Sequence, residues 1–267
     1  MFKANYHTHT KRCGHAVGED EEYVLEALGH GIRYLGFSDH AMLPGFTEPY
    51  KRGDYTLFED YCDSINSLKK KYEDRMTIYL GFEAEAYPDY FPFFKEMIDN
   101  GILDYMILGN HSAIDKDKNI YCHFSNITNA SQLYLYRDLA LKAISTGLYS
   151  IFAHPDYFMA GITNFDGDCK RVSKDLIEAC IAHDVPLEVN LAGIRNGKRI
   201  YGRQARWLYP TDEFFALVGS YRAKCIYGMD AHAPDQLSND LAEFEAVRFA
   251  KEHSLNVIDV LPTIKQH

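Results

Sequence analysis

The run Ala4-Asn5-Tyr6-His7-Thr8-His9 decides the fold. Its length and composition suit a β-strand, and strand alternation puts Asn5, His7 and His9 on one face. A lone His-x-His pair is weak evidence for anything, so the question is what surrounds it. Working outward, strand-like runs recur at 34–39, 77–85, 105–110, 149–153, 187–190 and 225–228. Helical stretches separate them at 19–30, 55–72, 91–100, 131–146, 172–184 and 211–221, and another follows at 241–252. Seven strands alternating with helices predict parallel βαβ units, which right-handed crossovers wind into a barrel or an open doubly wound sheet.

Local signals mark several helix ends. Glu19, Asp20, Glu21 and Glu22 load the start of the first helix, where the positive end of the helix dipole favours carboxylates. Gly31 and Gly147 follow the first and fourth helices, where a left-handed cap is expected. Thr211, followed by Asp212 and Glu213, reads as an N-cap.

The ends of the strands carry the chemistry. The first ends at His9, with His15 six residues on, the second at Asp39-His40, and the third around Glu83 and Glu85. The fourth ends at Asn110-His111, the fifth at His154-Pro155-Asp156, the sixth at Glu188-Val189-Asn190 and the seventh at Asp230-Ala231-His232. From His9 through Asp39, Glu83, His111, His154 and Asn190 to Asp230 the steps are 30, 44, 28, 43, 36 and 40 residues. Each is about one βαβ unit, so a parallel barrel gathers all seven ends at one mouth, where barrel active sites lie. In the third strand Ile78, Leu80 and Phe82 face helices, and Gly81, Glu83 and Glu85 face inward.

Carboxylates and imidazoles buried together are costly unless paired or bound to metal. Imidazole and carboxylate without thiolate suit Zn²⁺, Mn²⁺ or Fe²⁺ in an open site, and the donors outnumber what one ion takes, so two or three divalent ions are expected. His30, His123, His183, His253 and His267 fall outside the pattern and read as structural or solvated.

Composition narrows the partners. The 267 residues are 46% apolar and carry 38 acidic against 28 basic groups, a formal charge of −10. That balance argues against a long nucleic acid as ligand. No apolar run approaches membrane-spanning length and no signal-like segment opens the chain. The six cysteines are scattered without Cys-x-x-Cys spacing. Together these predict a cytoplasmic protein with free thiols.

As a set, His7-x-His9 with His15, Ser38-Asp39-His40, Glu83, Asn110-His111, Ala153-His154-Pro155 and Asp230-x-His232 resembles the polymerase-and-histidinol-phosphatase (PHP) family, most of all its stand-alone histidinol-phosphate phosphatases. The resemblance implies an α/β fold, a distorted (β/α)7 TIM-like barrel with its metal site at the C-terminal strand ends, here as one domain over 1–267. It implies three ions: one on His7, His9, Glu83 and Asp230, a second bridged by Glu83 to His111 and His154, and a third on His15, His40 and His232. Asp39 is expected to orient an imidazole from behind. Glu83, Asp230 and His232 are the residues expected to act with a metal-bound hydroxide.

The implied reaction is hydrolysis of L-histidinol phosphate, a step in histidine biosynthesis, with hydroxide bridging two ions attacking phosphorus in line. The substrate partner is then a small phosphorylated amino alcohol. Arg195, in an Asn-x-x-Gly-x-Arg stretch like that of the phosphatases, is the expected phosphate ligand because guanidinium offers a bidentate fork. Arg203 and Arg206 are weaker candidates, and Trp207 is expected to pack. Mouth loops at 41–54, 112–130 and 156–170 are expected to wall the alcohol, with Phe46, Tyr50, Tyr157 and Phe158 available for stacking. The alternatives are another PHP phosphoesterase acting on nucleotides, phosphotyrosine or nucleic-acid ends, a metal-dependent amidohydrolase, or a non-catalytic metal-binding module.

Overall fold

The computed structural model describes residues 2–262 and 264. One parallel sheet contains β1 (Ala4–Asn5), β2 (Tyr34–His40), β3 (Thr77–Ala84), β4 (Tyr105–Leu108), β5 (Ile151–Phe152), β6 (Leu187–Asn190), β7 (Lys224–Gly228) and β8 (Asn256–Val257), side by side in chain order. The crossovers carry α1 (Asp20–Gly29), α2 (Phe58–Lys71), α3 (Phe91–Asp99), α4 (Ala130–Ile144), α5 (Gly167–Ala182), α6 (Leu191–Arg195), α7 (Asp212–Tyr221) and α8 (Asp240–Glu252). The sheet is open and strongly curled, a half-barrel consistent with a distorted TIM-like barrel. Its first edge returns to β7 only near the top, where Thr8 bridges Ala231 and His9 N donates to Ala231 O at 2.9 Å.

Seven strands fall where the alternation predicts them, and the eighth, β8, is additional. Two hairpins also emerge from the mouth loops, Ser112–Ile114 with Ile120–His123 and Arg199–Tyr201 with Gln204–Arg206. Gly31 and Gly147 take the left-handed conformation at φ 86° and 70°. Thr211 sits at the N-cap of α7 without capping it; its hydroxyl donates to Asp156 Oδ2 at 2.7 Å instead.

The apolar faces segregate as alternation requires. Ile78, Leu80 and Phe82 pack in the large core between sheet and helices. Inside the curl a smaller core of Tyr6, Tyr79, Tyr105, Ile107, Ile151 and Ile226 plugs the lower half. Tyr105 Oη donates to Tyr6 O at 2.7 Å, so the buried hydroxyl is satisfied by the backbone. Ile258, Val260, Leu261 and Ile264 close the plug from below. The ionisable residues therefore occupy only the upper half of the interior.

Candidate metal centre

Glu83, at the top of β3 and 2% exposed, is the hub. Its carboxylate oxygens lie 2.8 Å from His154 Nε2, 2.9 Å from His40 Nδ1, 3.5 Å from His111 Nε2, and 3.6 Å from both His7 Nε2 and His9 Nε2. Asp230 stands opposite, its Oδ1 3.3 Å from His9 Nε2 and 3.5 Å from His7 Nε2. The His7 and His9 Nε2 atoms are themselves 3.2 Å apart. His232 stacks on His9 with centroids 4.0 Å apart, and His15 lies 4.6 Å from His232 and 5.4 Å from His40. His15 is solvent-exposed, at the rim; the other members lie inside.

Two of these residues have unusual backbones. His154 and Asp230 hold positive φ, 29° and 47°, in the region that non-glycine residues avoid. Hydrogen bonds from His154 N to Glu188 Oε2 at 3.0 Å and from Met229 N to Asn5 Oδ1 at 2.8 Å hold these turns. Strain of this kind, held by its surroundings, clusters at functional sites.

Behind the hub stand three more acids. Glu188 Oε1 is 2.7 Å from His7 Nδ1, and its Oε2 also accepts from Asn190 Nδ2 at 2.8 Å. Glu85 accepts from His111 twice, from its backbone N at 2.7 Å and its Nδ1 at 2.9 Å. Asp39 lies 3.4 Å from His9 Nδ1 and accepts from His40 N at 2.8 Å. A carboxylate bonded behind an imidazole, as Glu188 is to His7 and Glu85 to His111, fixes the tautomer and leaves the far nitrogen's lone pair facing the cavity. The packing is close: a Cβ on Gly228 would fall 1.7 Å from Glu188 Oε1, and one on Gly109 2.5 Å from Glu83 Oε1.

The electrostatics split the imidazoles. Burial holds His40 well below the usual range, and burial with the nearby His9 takes His232 to about 3. Burial would also depress His7, but Glu188, Asp230 and Glu83 override it and lift it to about 10. His9 is raised despite burial by Asp230 and Asp39, and His154 by Glu83. Burial alone would raise Glu83 and Asp230, yet their imidazole neighbours hold both well below the usual carboxylate range.

The donor set fits divalent cations. His7, His9 and Asp230, then His7, Glu83 and His154, then His9, His40 and His232 each present ligand atoms within 4.8 Å of one another. Buried nitrogens His9 Nδ1, His154 Nδ1 and His232 Nε2 make no hydrogen bond. Cys13, with His15 and His232, adds a further group of donors.

The PHP domain family model matches residues 5–192, about seven-tenths of the chain. This chain belongs to the PHP domain family. Asp230 and His232 lie beyond the matched residues, and the curl of the sheet brings them back against His7 and His9. A "probable histidinol-phosphatase" of Deinococcus radiodurans is 24% identical over 240 residues, 89% of each chain. A histidinol-phosphatase of Bacillus subtilis is 24% identical over 87% of this chain and 94% of its own. In fold, the domain resembles the crystal structure of histidinol phosphate phosphatase from Lactococcus lactis complexed with zinc, L-histidinol and phosphate. The TM-score is 0.70 at 18% identity, covering 96% of this chain and 95% of that one.

Other expected residues divide sharply in this PHP domain. Arg195 uses three of its five donors on Met229 O at 2.5 Å, Asp230 O at 2.9 Å and Gln236 Oε1 at 3.1 Å. It braces the Asp230 turn and lines a cleft of about 440 Å³ with Lys198, Trp207 and Arg248. Arg206 is buried and donates to the carbonyls of Trp207, Leu208, Met159 and Ile162; Arg203 is exposed. Trp207 packs edge-on against Phe249. Of the loop aromatics, Phe46 and Phe158 are core and Tyr50 is 86% exposed. Tyr157 reaches the site, its ring 5.0 Å from His111 and 5.3 Å from His154. Tyr209 joins it 5.3 Å from His154, a neighbour the sequence did not signal. His30 pairs with Glu243 and His253 with Asp212, while His123 and His183 are exposed. His267 lies outside the described residues.

Proposed function

We propose that the chain is a metal-dependent phosphomonoesterase that hydrolyses L-histidinol phosphate to L-histidinol and phosphate. The observation that carries this reading is one buried carboxylate, Glu83, within 3.6 Å of five imidazoles. A buried carboxylate shared among imidazoles suits a cationic centre, which offsets the cost of burying its charge. His7, His9, Glu83 and Asp230 would hold one ion, Glu83 with His111 and His154 a second, and His15, His40 and His232 a third. Zn²⁺, Mn²⁺ and Fe²⁺ all suit these donors. Divalent ions there supply Lewis acidity that neutralises phosphoryl oxygens and lowers the pKa of water.

The chain's own residues do the rest. Glu188 and Glu85 set the tautomers of His7 and His111. Arg195 holds Asp230 through its backbone. His40 and His232 stay neutral near pH 7 and so offer lone pairs without proton competition. Tyr157 and Tyr209 wall the side where the alcohol would lie. The relatives' names support the substrate; the six free cysteines support a reducing, cytoplasmic setting.

The test is phosphate release by metal-reconstituted protein from L-histidinol phosphate, phosphotyrosine, a 3′,5′-bisphosphonucleotide and an aryl phosphate. The expected result is the highest kcat/KM for the histidinol ester. A different ester in the lead refutes the substrate, and ammonia or acetate released from amide substrates in place of phosphate refutes the reaction class.

A further inference from the structure

The loop at residues 41–54 reaches the metal centre through a wholly buried side chain, Arg52. Its Nη1 donates to Ala41 O at 3.0 Å, at the loop's root, and its Nε to Glu48 Oε2 at 3.0 Å, near the loop's crown. Its guanidinium carbon sits 5.3 Å over the Phe46 ring. The remaining arm, Nη2, donates to Glu85 Oε1 at 3.1 Å. Glu85 in turn grips both the backbone and the ring of His111.

Glu83, in β3, and Glu85, just past its end, both project into the site, each 2% exposed or less. A second carboxylate so placed needs a countercharge of its own to remain an acceptor for two N–H groups. Arg52 supplies it, with Lys51 Nζ more distant at 4.0 Å. Withdrawing the loop therefore removes the charge that keeps Glu85 in place behind His111. Met42, Leu43 and Phe46 are core and Tyr90 Oη donates to Pro44 O at 3.1 Å, so the loop's first half is fixed. At the crown Glu48 is half-buried and Tyr50 exposed with φ 65°, and Arg52 ties this second half to Glu85.

We propose that Arg52 is a positioning residue that joins the ordering of loop 41–54 and occupancy of the His111 ion into one equilibrium. The proposal rests on the metal reading above. Coupling of this kind is reciprocal: the factor by which a closed loop tightens the ion is the factor by which the ion closes the loop. Loss of the partner that supports a ligand imidazole typically weakens a metal about 10–100-fold, which sets the scale.

The experiment is hydrogen–deuterium exchange of residues 41–54 in zinc-loaded and chelator-stripped protein, with zinc content measured on the same samples. Loading should slow exchange in the loop about tenfold or more. In Arg52→Met that response should vanish, and one equivalent of zinc should bind about tenfold or more weakly while the others hold. Arg52→Lys, which keeps the charge and loses the fork, should recover part of both effects. Zinc uptake by the wild type without a loop response overturns the coupling, as does Arg52→Met with undiminished affinity for every ion. A wild type that takes up no zinc refutes the metal reading itself. The wild-type comparison and the lysine variant decide the matter if Arg52→Met does not fold.

Discussion

Replacing Glu188 by Gln keeps shape and volume and removes only the carboxylate's second acceptor face. Glu188 receives three donors: His7 Nδ1 on one oxygen, His154 N and Asn190 Nδ2 on the other. An amide has one oxygen and one NH2. With its oxygen toward His7, the NH2 meets two N–H donors; flipped, it meets His7 Nδ1–H. Either way one donor faces another in a site that is 1% exposed. An unmade buried hydrogen bond costs about 1–3 kcal/mol, and each 1.4 kcal/mol is tenfold. The loss of negative charge adds little, because Glu188 favours a proton and a metal on His7 Nε2 alike. We therefore expect metal affinity and kcat/KM each to fall about 10–100-fold, in line with other carboxylates that support ligand imidazoles. Equilibrium competition against a graded chelator measures the first and phosphate release the second, with thermal unfolding as the control for fold. A variant within threefold of the wild type on both counts refutes the reasoning.

Three further outcomes follow from the same geometry. Gly228→Ala drives a Cβ into Glu188 Oε1, so it should reproduce the Glu188→Gln loss, and the double variant should be no worse than the worse single one; full additivity would show that the two act apart. In the metal-free protein the neighbouring acids lift His7 to about 10 and raise His9 well above the usual imidazole value, so at pH 7 these two carry protons that an ion must displace. Loading should thus release protons and strengthen as pH rises, about tenfold per unit for each proton released; calorimetry in buffers of different ionisation enthalpy counts them, and a count of zero sinks the assignment. Arg206→Met abandons four carbonyls, two of them buried and two part-buried, and should cost about 3 kcal/mol, lowering Tm by roughly 6–12 °C in a thermal scan; an unchanged Tm would mean that water replaces the clamp.

The strand ends were legible because alternation and unit length are strong signals, and every expected imidazole from His7 to His232 comes to one mouth. What sequence reasoning missed lies one step behind. Glu85 obeys the same alternation as Glu83, and Glu188 stands two residues before Asn190 on the same face. Both were readable as inward but not as partners, because which imidazole they meet depends on the curl of the sheet. Arg52 gives no local signal, since its partners are 33 residues downstream and at the root and crown of its own loop. Arg195 was placed in the mouth by motif, whereas α6 turns its fork onto the carbonyls of Met229 and Asp230. The hairpin 199–206 carried its own sign in Gly202-Arg203, a two-residue turn with glycine at the first central position. β8 carried none: two residues, one of them exposed, have no periodicity to read.

The division of the interior explains why one strand can serve two masters. Along β3 alternation selects the inward face, and past the end of β1 the chain turns both Tyr6 and His7 inward, but depth selects the chemistry. Tyr6 and Tyr79 lie low, where a ring fills volume and a hydroxyl can reach the backbone; His7, His9 and Glu83 lie high, within reach of the mouth. Lowering the carboxylates into the tyrosine layer would leave them without Arg52, the imidazoles or any proposed ion, at a desolvation cost that no neighbour offsets. Keeping them at the top makes their charge depend on what binds there. With ions loaded, the mouth becomes cationic inside a chain of net charge −10. A small phosphate ester gains the local attraction, while a long polyanion meets the acidic surface first. Selection for a small substrate would thus be built from the same carboxylates proposed to hold the ions.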